Sequence, residues 1–316
     1  MTRLHQEKLK TLARTVFDEP MSRHTTLGVG GPVDALVDVT TRDELKSVLA
    51  WCQDENVPFF FLGGGSNLLV RDGGIRGIAI RLAGEFETFC VDHESGDDIF
   101  VTAGAAVSLT KLIRWSLDQG LTGIETLAGI PGCIGGNIRM NAGTHLGAIG
   151  DRVEDVTIMN AQGREMTIPH RGLDFQYRRV RLPQAAAILR AVLKLQRGDM
   201  EKARATFKEL LDRRRTTQPV ATQNCGCAFK NPDKTSAGKL IDDAGLKGVR
   251  VGGARVSPLH ANFILNEGNA TAHDVIVLLN LVRERVKEES GVLLEHEVVM
   301  VGEEKKRSGK EKRSRC

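Results

Sequence analysis

Nothing in this chain of 316 residues could serve as a membrane span. A span needs about 20 apolar residues in a row, and the longest apolar run near the C-terminus, Val275–Leu279, is far shorter. The first twenty residues, MTRLHQEKLKTLARTVFDEP, are charged and helix-like and contain no apolar signal core, so a cytoplasmic protein is expected. A disulfide framework is missing too. Six cysteines are scattered at 52, 90, 133, 225, 227 and 316, and without a signal peptide they read as reduced thiols. Aromatic residues make up only 4%, with a single tyrosine, Tyr177.

The folded part also lacks net charge. Lys and Arg number 44 against 40 Asp and Glu, but seven of the basic and three of the acidic residues stand in the last fourteen, so residues 1–302 are neutral. The basic balance therefore comes from a tail at 303–316, expected to be disordered because it has no apolar residue to bury. It is no sign of a nucleic-acid-binding surface, and neither nucleic acid nor membrane is expected as a partner.

What the chain has in quantity is glycine, 34 residues, within a composition that is 41% hydrophobic and 27% charged. The length is enough for two domains or three lobes with substantial cores. A short apolar strand at Leu36–Val39 leads to Thr41 and Glu44, spaced as a helix-capping box, and to Leu45, Val48, Leu49 and Cys52 at helical spacing. Phe59–Leu62 and Ile78–Leu82 read as strands. Ser108 caps a helix ended by Gly120. Val153–Asn160 and Arg164–Ile168 form a hairpin turning at 161–163, and Ala187–Leu195 is a strand. The last third holds a charged helix at Asp199–Arg215, a helix near Ala237–Ala244, a strand at Ala261–Leu265, and a long helix opening at Thr271 with an apolar stripe of Val275, Leu278, Val282 and Val286 before Gly291.

Two glycine-dense segments suit a diphosphate. Gly63, Gly64, Gly65, Ser66 and Asn67 follow a buried strand, where successive backbone N–H groups can form an anion-binding concavity or simply a tight turn. The stretch is neither a Walker A loop nor a dinucleotide fingerprint. Ile130, Pro131, Gly132, Gly135 and Gly136, followed by Asn141, Ala142 and Gly143, make the second segment. Two such segments in different lobes fit a long dinucleotide-like cofactor. Cys225-Gly-Cys227 leaves three readings open: a metal site short of ligands, a buried structural thiol, or a thiol used in chemistry. Glu295-His296-Glu297 reads first as a solvated edge, with metal binding a weak alternative, and Tyr177-Arg178-Arg179 as a surface segment.

Taken in order, His24–Gly31, Leu62–Leu69, Ala128-Gly-Ile-Pro-Gly132, Met140-Asn-Ala-Gly143, Phe175-Gln-Tyr-Arg178, Phe229-Lys-Asn-Pro232 and Leu294-Glu-His-Glu297 resemble the UDP-N-acetylenolpyruvoylglucosamine reductase family over about residues 20–302. Ser236–Gly248 and His260–Ile264 resemble its shorter, type II form, and the single tyrosine agrees with that form. The resemblance implies an α+β chain: a two-lobed FAD-binding fold of the vanillyl-alcohol-oxidase (PCMH) type plus an α+β substrate-binding domain. It divides the chain into an N-terminal helix at 1–20, FAD-binding lobes at 21–84 and 85–198, a substrate domain at 199–302 and the tail.

The implied activity is NADPH-dependent, FAD-mediated reduction of UDP-N-acetylglucosamine enolpyruvate to UDP-N-acetylmuramate for peptidoglycan, by a monomer with no metal. Arg178, Cys227 and Glu297 fall at the family's catalytic positions. Tyr177, Lys230 and Asn231 fall on the substrate side, and the two glycine-dense segments on the flavin side. Cys227 stands where most members have serine. Its thiol, with an ordinary pKa of about 8.5, would protonate the carbon that receives no hydride, while Arg178 and Glu297 stabilise the enolate. Val180 and Val299 depart from the family's usual serine and arginine. The alternatives are another flavoenzyme of the same fold, of the alcohol or lactone oxidase type, and a non-catalytic nucleotide- or nucleic-acid-binding protein.

Overall fold

The computed structural model describes residues 1–305. Their contacts form two compact units. One comprises Met1–Phe17, Ala35–Ser66 and Gly77–Ala221, and the other Asp18–Asp34, Asn67–Arg76 and the chain from Thr222 on. Helices and sheets are mixed throughout, as the α+β class requires.

The first unit holds two hydrophobic cores. One lies on a sheet whose strands run Arg14–Pro20, Pro32–Val39, Ile75–Leu82, Phe59–Leu62 in that order. Phe59–Leu62 lies parallel to Ile75–Leu82, with Phe59 opposite Ile78. The helix Arg42–Asp54 leads from Pro32–Val39 to Phe59–Leu62 and buries Leu45, Val48, Leu49, Trp51 and Cys52. Thr41 caps this helix by accepting from Glu44 N, but the Glu44 carboxylate reaches Thr40, not Thr41, accepting from its N–H and hydroxyl at 2.6 and 2.8 Å. Those bonds, the Thr40 N–H first, hold the Glu44 carboxyl below its usual pKa.

The second core lies on an antiparallel sheet ordered Glu165–Pro169, Val153–Met159, Ala187–Arg197, Asp98–Gly104, Phe89–Ser95, with Leu121–Thr122 beside the central strand. Asn160 shapes the hairpin turn, its side-chain oxygen accepting from Gln162 N and Arg164 N. The helix Leu109–Asp118, capped by Ser108, buries Leu109, Leu112, Ile113 and Leu117 against this core.

The second unit is a four-stranded sheet ordered Gln223–Cys227, Phe263–Asn266, Ala254–Val256, Arg250–Val251, covered by the helix Ala272–Ser290. Thr271 and Asp274 form the expected capping box, the expected stripe is fully buried, and Gly291 ends the helix in the left-handed region at φ 72°. A short parallel pair, Leu68–Val70 with Val299–Val301, completes the unit.

Three sequence expectations need correcting. The N-terminal segment at 1–20 is not one helix. The helix spans Arg3–Leu12, Ala13 turns extended, and Thr15, Val16 and Phe17, residues that favour strands, continue into the edge strand Arg14–Pro20. The charged helix, observed at Met200–Thr217, packs in the first unit, not with the residues after it. Ala203, Met200 and Phe207 enter that unit's core, and Arg204 and Arg214 donate to the carbonyls of Leu117 and Gly129. The segments 18–34 and 67–76 in turn belong with the C-terminal third. Finally, the tail does not start at Glu303. Gly73 N donates to Glu303 O and Glu303 N to Gly74 O, both at 2.9 Å, and Glu304 pairs with Arg71. The rest of the expected tail, 306–316, lies outside the described residues.

Two substitutions separate capping from burial in the long C-terminal helix. Thr271→Ala removes the cap and should lower stability by about 1 kcal/mol. Leu278→Ala, at a site with no exposure, should cost about 2–5 kcal/mol. Urea unfolding followed by circular dichroism ranks the two, and equal losses would contradict this placement of the helix.

Candidate active site

The two glycine-dense segments meet in the first unit. A Cβ on Gly64 would sit 3.1 Å from the Cα of Gly132, and one on Gly63 would sit 3.0 Å from the Cys133 sulfur. A side chain at 64 would crowd the Gly132 backbone, so glycine there eases the close approach of the two segments. Gly65 and Gly132 also take φ of 62° and 99°. Gly63, Gly64, Pro131 and Gly136 are exposed, so the surface formed is largely main chain. Among the described residues, no protein group accepts from the N–H groups of Gly64, Gly65 and Ser66. Adjacent unspent donors of this kind fit the diphosphate of a dinucleotide such as FAD.

The lower wall of the cradle is fastened from beneath. Ile134 N and Gly135 N donate to Val107 O and Ala105 O, and the buried Asn137 side chain donates to the carbonyls of Pro131 and Cys133. Ile130 is buried in the core and Ala142 packs against it, and their N–H groups donate to Leu127 O and Asn137 O, so both residues serve the fold.

Asn141 is placed otherwise than a simple cofactor contact. It sits at φ 40°, and its side chain accepts from Gly150 N at 3.1 Å and donates to Gln176 O at 3.0 Å. Gln176 ends one strand of the hairpin Asp174–Gln176/Arg179–Arg181, whose two turn residues are Tyr177 and Arg178. Arg178 itself takes φ 61° and donates to Gly143 O at 3.3 Å. Its guanidinium lies over the exposed Tyr177 ring, 5.1 Å from the centroid. Asn141, Gly143, Tyr177 and Arg178 therefore form one cluster in the first unit. Val180 turns inward to the core of that unit.

Cys227 and Glu297 belong to the second unit. The strand Gln223–Cys227 carries a bulge between Asn224 and Cys227, with Gly226 at φ 76°. In a regular strand Cys225 and Cys227 would share a face. The bulge breaks that register: Cys225 is buried and Cys227 only half-buried. Burial pushes the Cys225 thiol up to about 12, so it stays protonated and inert.

Beyond the bulge, residues 228–230 pair with 295–297. Lys230 N donates to Glu295 O at 2.8 Å, Glu297 N donates to Ala228 O at 2.9 Å, and Phe229 bridges His296. Lys230 also forms an ion pair with the Glu295 carboxylate. Asn231 accepts from Ala237 N, holding the start of the helix Ala237–Asp243. Asn67, expected beside the cofactor, donates from its side-chain amide to Glu297 O at 3.0 Å. Val299, paired with Leu68, leaves its side chain exposed. The structure thus brings Cys227, Lys230, Asn231, Glu297 and Asn67 together in one unit.

Asn262 was missed by site reasoning. It is 2% exposed, accepts from Phe229 N at 3.0 Å and donates to Phe229 O at 2.8 Å. Only its place in the His260–Ile264 motif marked it in the sequence.

The Glu295-His296-Glu297 alternative of a metal site finds no support. Glu295 is salt-bridged to Lys230, and the His296 ring stacks on Phe229. Among the described residues, no three His, Cys, Asp or Glu side chains are grouped to hold a metal. Burial, aided by Arg283, lowers the His296 pKa, and burial also lowers that of His260. Both imidazoles are held neutral in the fold but protonate near pH 6.5 when unfolded. The unfolded chain then binds more protons, so their contribution to stability is present above pH 6.5 and lost as pH falls. Thermal midpoints should drop between pH 7 and pH 5, and less steeply in the His260→Gln/His296→Gln double variant. An unchanged slope in that variant would show that neither ring resists protonation.

Comparison with known proteins agrees with this geometry. The C-terminal domain model of UDP-N-acetylenolpyruvoylglucosamine reductase matches residues 218–301, and the FAD binding domain model matches residues 33–168. A UDP-N-acetylenolpyruvoylglucosamine reductase of Desulfosudis oleivorans is 46% identical over 298 residues, covering 92% of this chain and 95% of that protein. One from Geobacter metallireducens is 44% identical, covering 91% and 94%. The crystal structure of the Thermus caldophilus reductase (MurB) superposes with a TM-score of 0.79 at 39% identity, covering 92% of this chain and 99% of that one. The fold is therefore the FAD-binding type joined to the reductase's own C-terminal domain, and the chain belongs to the UDP-N-acetylenolpyruvoylglucosamine reductase family of flavin-dependent oxidoreductases.

Proposed function

We propose that the chain reduces the enolpyruvyl ether of UDP-N-acetylglucosamine to UDP-N-acetylmuramate for peptidoglycan synthesis, using NADPH, with Arg178, Cys227 and Glu297 as catalytic groups. The observation that carries the assignment is the pairing of 228–230 with 295–297, next to Cys227, which sets a half-buried thiol, a lysine and Glu297 on adjoining backbone. The match at 218–301 favours this reaction over the alcohol or lactone oxidase alternative. With it goes a cytoplasmic monomer acting on a small-molecule UDP-sugar. Among the described residues, no helix is long and apolar enough to cross a membrane.

FAD, when bound, would supply the chemistry that carries hydride between nicotinamide and substrate. The N–H groups of Gly64, Gly65 and Ser66, facing the glycine backbone at 132, would hold its diphosphate. Arg178 supplies a permanent positive charge for the substrate carboxylate as negative charge spreads onto it. Its orientation is fixed by Gly143 O and the Tyr177 ring. Glu297, held through both its N–H and its carbonyl, must be protonated or bridged by water to assist an anion. Cys227 gives its proton to the substrate carbon next to the one that gains hydride. Lys230, already paired with Glu295, and Asn231 and Tyr177 serve the UDP-sugar.

Two experiments test this reading. Gly64→Asp puts a carboxylate at the cradle and a Cβ 3.1 Å from Gly132. It should yield folded but colourless protein, and a full flavin complement would reject that placement. Cys227→Ala should leave flavin reduction by NADPH intact and slow flavin oxidation by the enolpyruvyl sugar by about 10²–10⁴-fold, while Cys227→Ser retains substantial activity. Stopped-flow absorbance of the flavin separates the two steps, and wild-type oxidation in Cys227→Ala would remove Cys227 from the chemistry.

A further inference from the structure

The segment that carries Cys227 and Lys230 is held on both flanks, and only one flank involves the strand of Glu297. The other is Asn262. Ala228 N donates to Asn262 O at 2.8 Å, and both polar atoms of the Asn262 side chain are spent on the main chain of Phe229, the residue between Ala228 and Lys230. A primary amide bonded this way copies the donor–acceptor pair of a neighbouring strand residue. Asn262 is buried, so water cannot substitute for either bond. Residues 260–263 close as a turn: Asn262 N donates to His260 Nδ1 and Phe263 N to His260 O. The amide is therefore presented from a rigid base.

The effect is specific in direction. Gln223–Cys227 pairs with Phe263–Asn266 as a regular ladder only up to Asn224, and the bulge then interrupts it. Past the bulge Cys227 pairs with Phe263, and the last main-chain bond on this flank runs from Ala228 N to Asn262 O. The Asn262 side chain extends the lateral support by one further residue, to both main-chain groups of Phe229. Without it, the backbone of Phe229 and Lys230 would be restrained on the 295–297 side alone. The side-chain amide thus decides the angle at which the Cys227 thiol and the Lys230 ammonium leave the strand.

We propose that Asn262 is a positioning residue for the reaction, fixing Cys227 and Lys230 through the Phe229 main chain without touching substrate. The proposal rests on the reading of Cys227 as proton donor. It is tested with Asn262→Asp, which keeps the shape and the acceptor for Phe229 N but, when ionised, sets an oxygen against Phe229 O. The variant is expected to keep its flavin and to accept hydride from NADPH within about twofold of wild type. Flavin oxidation by the enolpyruvyl sugar should slow at least tenfold at pH 8, and recover as pH falls, because the introduced carboxyl group regains a donor once protonated. The rate of Cys227 alkylation by iodoacetamide, followed by mass spectrometry, should change more than threefold, a readout that needs no turnover. Asn262→Ser, able to make one of the two bonds, gives the same comparison should the acid prevent folding.

Wild-type rates for oxidation and alkylation in either folded variant would overturn the proposal. Equal loss of both half-reactions, with no pH-dependent recovery, would overturn it too, by showing a role in folding alone. Failure of the underlying reading looks different, since Cys227→Ala would then oxidise its flavin at wild-type speed whatever is done at 262.

Discussion

Main-chain pairing between 228–230 and 295–297 is the constraint on which the chemistry proposed for the second unit depends. Cys227, Lys230 and Glu297 are far apart in sequence, and none of their side chains could set its own position. What aligns them is a short ladder in which each of the three lies within one position of a backbone hydrogen bond. The long helix Ala272–Ser290 and the sheet beneath it make that ladder rigid, since Val275, Leu278, Leu279, Val282 and Val286 lock one against the other without exposed area. Asn67 and Asn262 add side-chain amides to the two ends of the ladder. Reactive groups are thus placed by backbone, and polar side chains near them are spent on that backbone.

The first unit solves a different problem. The cradle proposed for a cofactor diphosphate offers donors that carry no side chain, so such a site is made by removing atoms. Glycine at 63, 64 and 132 lets two segments nearly 70 positions apart touch through their backbones. Asn137 and the N–H groups of Ile134 and Gly135 hold the lower wall from the protein side, leaving the upper N–H groups for a ligand.

Much of this was legible in the sequence where the signal is local. Thr41, Ser108 and Thr271 each cap a helix at the position their spacing indicates, because a cap is a bond between residues three apart. The outer strand Phe89–Ser95 escaped notice because one buried face is what creates alternation, and nearly every residue of it is exposed. Segments 18–34 and 67–76 were assigned to the wrong neighbours for a different reason. Their allegiance is set by pairings such as Leu68 with Val299 and Gly74 with Glu303, which leave no trace in local composition. The motifs located Cys227 and Glu297, but the amides of Asn67 and Asn141 have structural partners that a motif cannot name.

Arg178 occupies a left-handed backbone conformation, φ 61°, at the tip of a two-residue turn. Glycine or asparagine would be at ease there, whereas arginine in this region carries strain on the order of 1 kcal/mol. The hairpin is therefore less stable than its length and sequence would allow, and the surplus strain is maintained by the bonds of Asn141 and Gly143 around it. A search for thermostable variants would favour glycine at 178 and, on the proposed role of Arg178, would in doing so select inactive protein. Selection for stability and selection for turnover pull this residue in opposite directions, so the tolerance of position 178 in a mutational library depends on which of the two is screened.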